Sequence, residues 1–212
     1  MNKYGMITSG LALGLLAACG GGGGAASDLP GTVMDPPVTT TGDSVMRDAS
    51  GRVSGVSDGV AFTLSVNEFN ANGQPSWQTE SERVSSFESD DVFALGGFID
   101  GTPISAVTGT VVDAPLGNAT FAGRYAAYNA SGFATVSGPA DFVFDFEAAT
   151  LVADTDDFDL ETSVAGDGSL TGTATFRGET GAVSGGFFGT DTVAGAFQGE
   201  AVAGAFRGTR DE

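Results

Sequence analysis

Residues 170–210 read LTGTATFRGETGAVSGGFFGTDTVAGAFQGEAVAGAFRGTR, and this run restricts the chain to antiparallel β-structure. Thr171, Thr173, Thr175 and Arg177 share one face of an extended chain, while Gly172, Ala174 and Phe176 share the other. That period of two marks strands with one wet face and one buried face. Gly178-Glu179, Thr190-Asp191 and Gly199-Glu200 separate such runs at the length of a tight hairpin loop. A glycine at the first loop position supplies the positive φ of a type II′ turn. VAGAF occurs twice, beginning at Val193 and again at Val202, and on each copy Val, Gly and Phe fall on one face. Glycine beside phenylalanine suits a small barrel, because the ring fills the lumen and the missing side chain makes room for it. A Gly-rich open antiparallel sheet is the other architecture this pattern allows.

The alternation continues upstream. ATFAGRYAAY places Phe121, Gly123 and Tyr125 on one face, and ADFVFDFEAATLV sets Phe142, Phe144 and Phe146 against Val143, Asp145 and Glu147. Phe158, Leu160 and Thr162 oppose Asp157, Asp159 and Glu161, and Gly166-Asp167-Gly168 reads as a hairpin turn. The count is about eight strands over roughly ninety residues, the size at which a closed barrel is filled by its own side chains. An earlier β unit is expected as well. Val60, Phe62, Leu64 and Val66 alternate along one strand, and further strands are expected over 82–88, 92–99 and 104–112. Residues 70–76 form a loop by composition, Asp100-Gly101-Thr102-Pro103 punctuates the strands, and 114–118 reads as the junction to the second unit. Trp77, the lone tryptophan, sits beside that polar loop as either a binding anchor or a cap on a core.

Charge and residue inventory remove whole classes of function. The 27 acids all lie at or beyond Asp28, against eight cations of which Lys3 is the one lysine, for a net charge of −19. Such a surface repels nucleic acid, so no nucleic-acid partner is expected; it suits a basic partner or serves solubility. There is no histidine, which excludes Ser-His-Asp and Cys-His catalysis, and the one cysteine, Cys19, excludes an intrachain disulfide. No catalytic residue, no cofactor and no metal ligand set is assigned, and the chain is read as a binding protein rather than an enzyme. Tyr125 and Tyr128 are the phenols available to a haem iron. The acidic run at residues 154–161 invites a calcium reading, but Phe158 stands where a third ligand belongs and Asp159 where an EF-hand needs glycine.

The N-terminus opens with Lys3 and an apolar run over 5–17 too short for a membrane span, ending in Leu16-Ala17-Ala18-Cys19. This is similar to a bacterial lipoprotein signal with its lipobox. The resemblance implies cleavage before Cys19, fatty acyl chains (palmitate among them) on that residue, and a firm lipid anchor. Gly20, rather than aspartate, follows the cysteine, which in such lipoproteins implies export to the outer membrane. Cleavage would leave the 27 acids against seven arginines, a net of −20 (27 minus 7). Five glycines and a stretch rich in proline and threonine then form a flexible tether.

Ala119-Thr120-Phe121-Ala122-Gly123, Asp145-Phe146, Gly172-Thr173-Ala174, Gly185-Gly186-Phe187-Phe188-Gly189 and Ala194-Gly195-Ala196-Phe197 form one further set of motifs. In them the chain resembles the transferrin-binding protein B group of surface lipoproteins and its single-lobe relatives, which include factor H-binding protein and haem or haemoglobin receptors. The chain departs from that group in the short Thr190-Asp191-Thr192 turn, which lacks the family's glutamate, and in holding one lobe. The resemblance implies an all-β fold: a small β-rich handle followed by an eight-stranded antiparallel barrel. The expected divisions are a signal peptide over 1–18, a Gly/Pro-rich tether over 19–47, a handle-like unit over 48–116 and the barrel over 117–212. It also implies a surface-exposed outer-membrane lipoprotein that binds an extracellular iron- or haem-carrying protein, or another macromolecule, beside a partner outer-membrane transporter. The alternative is a structural envelope lipoprotein without cargo. Cys19 is the expected lipidation site, and Trp77, Tyr125 and Tyr128 are the candidate ligand-binding residues.

Overall fold

A computed structural model describes residues 43–65, 68–69, 74–131 and 136–210. The signal segment, Cys19 and most of the expected tether lie outside them, as do residues 70–73 of the expected loop. Seventeen strands follow in chain order: β1 (Ser44–Arg47), β2 (Val53–Ser57), β3 (Val60–Thr63), β4 (Glu68–Phe69), β5 (Pro75–Gln78), β6 (Glu82–Glu88), β7 (Val92–Ile99), β8 (Thr102–Gly109) and β9 (Val111–Val112), then β10 (Ala119–Asn129), β11 (Val136–Asp145), β12 (Thr150–Asp154), β13 (Phe158–Val164), β14 (Ser169–Phe176), β15 (Glu179–Phe188), β16 (Thr192–Gln198) and β17 (Val202–Arg210). Strands β10 to β17 form an antiparallel meander, and β10 pairs back onto β17 from Phe121↔Arg210 to Asn129↔Val202. That last ladder closes an eight-stranded barrel and removes the open edges a flat sheet would expose. The open-sheet alternative is thereby settled against.

The lumen is a packed aromatic core. Phe121, Phe142, Phe144, Phe158, Phe176, Phe187, Phe197 and Phe206 are each at most 3% exposed. Tyr125 stacks on Phe158 at 4.5 Å between ring centroids, and Phe142 lies on Phe206 at 5.1 Å. The VAGAF copies interlock as the alternation predicts. Gly195 faces Phe206 and Phe197 faces Gly204 across the β16–β17 ladder. A Cβ on Gly195 would lie 2.5 Å from Cζ of Phe206, and one on Gly204 would lie 2.5 Å from Cζ of Phe197. Each ring therefore occupies the space a side chain on the opposite strand would need.

Two smaller sheets form the handle. Strands β1-β2-β3 make a three-stranded sheet, and β4-β5-β6-β7-β8 make a five-stranded one. The first packs on one face of the second through Val45, Val53, Phe62, Leu64, Trp77, Val84 and Leu95. The opposite face, through Phe87, Val92 and Ala94, packs on the outside of the barrel at Ala126, Ala194, Ala196 and Ala205. The middle sheet is thus covered on both sides, which is why VFALGGFI reads as a continuous apolar run rather than an alternation. Phe98 continues the contact onto Tyr128 and Ala203. Tyr128 and Ser85 share a hydroxyl–hydroxyl bond of 2.6 Å across the interface. Gly96 comes so close that a Cβ there would lie 2.1 Å from the carbonyl oxygen of Gly204.

Several local expectations shift. The β14–β15 loop is Arg177-Gly178, with φ of +51° and +86°, a type I′ rather than a type II′ turn. The β15–β16 loop has three residues, 189–191, with Gly189 at φ +59°. The β16–β17 loop is Glu200-Ala201, because the Gly199 N–H still bonds the Val202 carbonyl at 2.7 Å. Phe146 follows the end of β11 and is 47% exposed instead of joining Phe142 and Phe144 in the lumen. Val60 is 60% exposed at a strand end instead of being buried with Phe62 and Leu64. The tether expectation ran to residue 47, whereas Ser44–Arg47 pair with β2.

Candidate ligand-binding face

Docking the handle on β10, β16 and β17 leaves the outer face of β11 to β14 uncovered by the described residues, apart from Ser137 at the start of β11, whose hydroxyl donates to Gln74 of the handle at 3.3 Å. The alternation that sends Phe142, Phe144, Leu151, Phe158 and Leu160 inward sends their neighbours outward. One row across the sheet is Val143↔Val152↔Glu161↔Thr173, followed on one side by Asp154↔Asp159↔Thr175. Val143 and Val152 are 45% and 41% exposed, an apolar centre on an otherwise polar face. Asp141, Asp145, Asp154, Asp159 and Glu161 are all exposed on it, and residues 136–176 include no lysine or arginine. Val152, Asp154, Asp159, Glu161, Thr173 and Thr175 line a shallow groove of about 410 Å³.

The groove carries like charges directly opposite each other, an arrangement that disfavours ionisation. Partial desolvation, then a hydrogen bond and repulsion from Asp154, hold the Asp159 carboxyl above its ordinary value. The folded state therefore binds the proton more tightly than the unfolded chain. The penalty is absent below the ordinary carboxylate pKa and grows as pH rises through the raised one. Asp159→Asn should accordingly raise the melting temperature at pH 7, with the gain vanishing near pH 3. Thermal melts of the two proteins across that range check it, and a gain independent of pH would refute the account.

The residues singled out from sequence fall elsewhere. Trp77 is 1% exposed in the handle core, and its Nε1–H donates to the Ser65 carbonyl at 2.8 Å. Tyr128 is 1% exposed under the handle, and Tyr125 is 4% exposed in the lumen. Burial pushes the Tyr125 phenol up in pKa, away from the phenolate that iron ligation uses. The three therefore pack the interior and are not brought together. The acidic run 154–161 divides as its alternation implies. Asp157 pairs with Arg177 at 2.9 Å, and Asp154, Asp159 and Glu161 point outward. Among the described residues no group of three His, Cys, Asp or Glu side chains is arranged to hold a metal ion. Cys19 lies outside the described residues. The open face was missed in sequence, although Val143 and Val152 on the polar side of their strands were its signal.

No family model matches the sequence, and no curated protein matches it. Solved structures do. Isotype 1 transferrin binding protein B from serogroup B Neisseria meningitidis superposes with a TM-score of 0.50 at 18% identity, over 75% of this chain and 39% of that one. The apo haemoglobin receptor HpuA from Kingella denitrificans gives 0.45 at 12% identity, over 84% of this chain and 95% of that one. The N-lobe of lactoferrin binding protein B from Moraxella bovis gives 0.37 at 14% identity, over 80% and 96%. This chain spans about two-fifths of the meningococcal protein, with which it shares the fold.

Proposed function

We propose that the chain is a lipid-anchored outer-membrane surface protein that binds a macromolecular ligand through the open face of β11 to β14. The observation that carries this reading is the division of the barrel wall. One half is sealed by the handle, and the other is a rigid sheet with an apolar centre in an acidic field. Such a face suits a protein ligand that presents basic groups around an apolar contact. The fold shared with transferrin binding protein B favours an iron- or haem-carrying protein as that ligand, with lipidation at Cys19 as the anchor. A partner transporter for the released cargo belongs to the same reading.

The test is to immobilise the full chain and pass purified transferrin, lactoferrin and haemoglobin over it at low and physiological salt. Saturable binding of one of them is expected, with affinity falling as salt rises. Val152→Lys and Glu161→Lys should each weaken it about tenfold by breaking the apolar centre and reversing the field. Silence with all three ligands, or binding indifferent to both substitutions, would sink the reading and favour a structural envelope lipoprotein.

A further inference from the structure

We propose that the free edge of β3 pairs with the β3 edge of a second copy of this chain, joining two three-stranded sheets into one of six strands. The other edges of the handle sheets are guarded or short. On β8, Pro103 has no N–H to offer, and the outward Ser105 N–H is taken by the Ser57 hydroxyl at 3.0 Å. On β1, the Val45 N–H donates to the Thr108 hydroxyl at 2.8 Å. Strand β4 has two residues, too few to template a partner. Strand β3 has no such guard. The Leu64 N–H donates to the Val53 carbonyl at 2.9 Å, so in this register Phe62 and Val60 also bond inward to β2. Ala61 and Thr63 therefore turn their N–H and C=O groups away from β2. Both residues are exposed, and neither bonds to another described residue on that side. An unpaired row of this kind, without charge, proline or bulge, is a template for another strand.

Length, exposure and charge select a second copy as the occupant. The open stretch is short and bounded. Asp58-Gly59 turns the chain back at one end. At the other, the Ser65 N–H is held by Glu82 and its carbonyl by the Trp77 indole. An antiparallel pairing centred on Phe62 sets Ala61 opposite the partner's Thr63, and Thr63 opposite the partner's Ala61. Both outward N–H and both outward C=O groups of each chain are then used. Val60, 60% exposed, stands on the same side as Phe62 and Leu64, and this register lays it beside the partner's Leu64. The strand VAFT carries no charge, nor do Ser44, Met46, Ser54 and Val56 on the outer surface of its sheet. Copies of a chain with net charge −19 repel over most of their surfaces, and an uncharged edge is where they can meet. The interface is small, so association is weak, with a Kd on the order of 0.1–1 mM. Confining anchored copies to one surface raises their effective concentration, and that step alone rests on the lipid anchor proposed above.

The test combines amide exchange with sedimentation equilibrium on the full chain, with reductant present so that Cys19 cannot cross-link copies. Exchange at Ala61 and Thr63 should be fast at about 20 µM and about threefold slower at about 1 mM, as a dimer of this Kd requires, while sedimentation shows monomer passing to dimer. Added salt should tighten the dimer by screening the like charges, the reverse of its effect on a basic ligand. Thr63→Pro removes one outward N–H and leaves the inward bonds of Phe62 and Leu64, so it should abolish the dimer. Ala61→Asp, at an exposed position, should weaken it about tenfold by adding like charges across the seam, and it decides the matter if the proline variant fails to fold. Exchange at Ala61 and Thr63 that ignores concentration overturns the proposal. If it is fast throughout, the edge stays bare; if slow throughout, a segment of the same chain covers it. A dimer that survives both substitutions is held elsewhere and overturns the proposal too.

Discussion

Phe206→Ala should lower the stability of the barrel by about 4 kcal/mol, the usual effect of emptying a buried aromatic site. The ring is fully buried, lies 5.1 Å from Phe142 between centroids, and covers the backbone of Gly195. Its removal leaves a void that seven other lumen phenylalanines, already in contact, have little freedom to fill. The partner substitution tests the reason. Gly195→Ala adds a Cβ 2.5 Å from Cζ of Phe206 and should cost about 2 kcal/mol, because the ring has no room to retreat. Gly195→Ala with Phe206→Leu should be better than the sum of the single changes by about 1 kcal/mol, since the shorter side chain relieves the clash. Relief is incomplete, because the same Cβ meets the Ser184 carbonyl oxygen at 3.0 Å. Denaturant unfolding of the four proteins gives the cycle. Strict additivity would show that ring and glycine do not share one space.

This interlock was legible in the sequence, because period two and the VAGAF repeat place Gly and Phe on one face without knowledge of any partner. The same repeat held a second message that alternation alone does not decode. Ala194, Ala196, Ala203 and Ala205 stand on the outer face, where β12 to β14 carry Asp, Glu and Thr. Small apolar residues on a face that should be wet mean that another layer lies close against it, and the handle is that layer. Turn types were less legible. Arg177 occupies a left-handed position that a non-glycine residue rarely takes, and the closing of the ladder at Phe176↔Glu179 outweighs that local preference. Trp77 is the opposite case. A polar loop beside it left a binding anchor and a cap on a core both open, and the three-stranded sheet, far from Trp77 in pairing, decides for the core by lying across the five-stranded sheet and burying it.

The contact between handle and barrel yields the other large effect, since there the two meet backbone to backbone. Gly96→Val should cost about 3 kcal/mol or more, at the upper end for added volume, because the atoms in its way are immovable. A Cβ at residue 96 would stand 2.1 Å from the Gly204 carbonyl oxygen, 2.3 Å from its carbon and 2.6 Å from its Cα. Gly204 in turn sits beneath the Phe197 ring and cannot sink into the lumen. The five-stranded sheet must therefore lift, which parts Phe98 from Tyr128 and breaks the bond between Tyr128 and Ser85. The barrel keeps its closing ladder and its aromatic core, so the loss should be local. Hydrogen exchange should accelerate in β6 and β7 while amides of β12 to β14 keep their protection. Gly166→Ala is the control, with nothing within 4 Å of the added Cβ, and should be close to neutral. If Gly96→Val unfolds within about 0.5 kcal/mol of the parent, as substitutions away from packed features do, the handle is not seated on the barrel through this glycine. If β12 to β14 lose protection as fast as β7, the handle is part of what keeps the barrel closed. The open face opposite would then owe its rigidity to the sealed one.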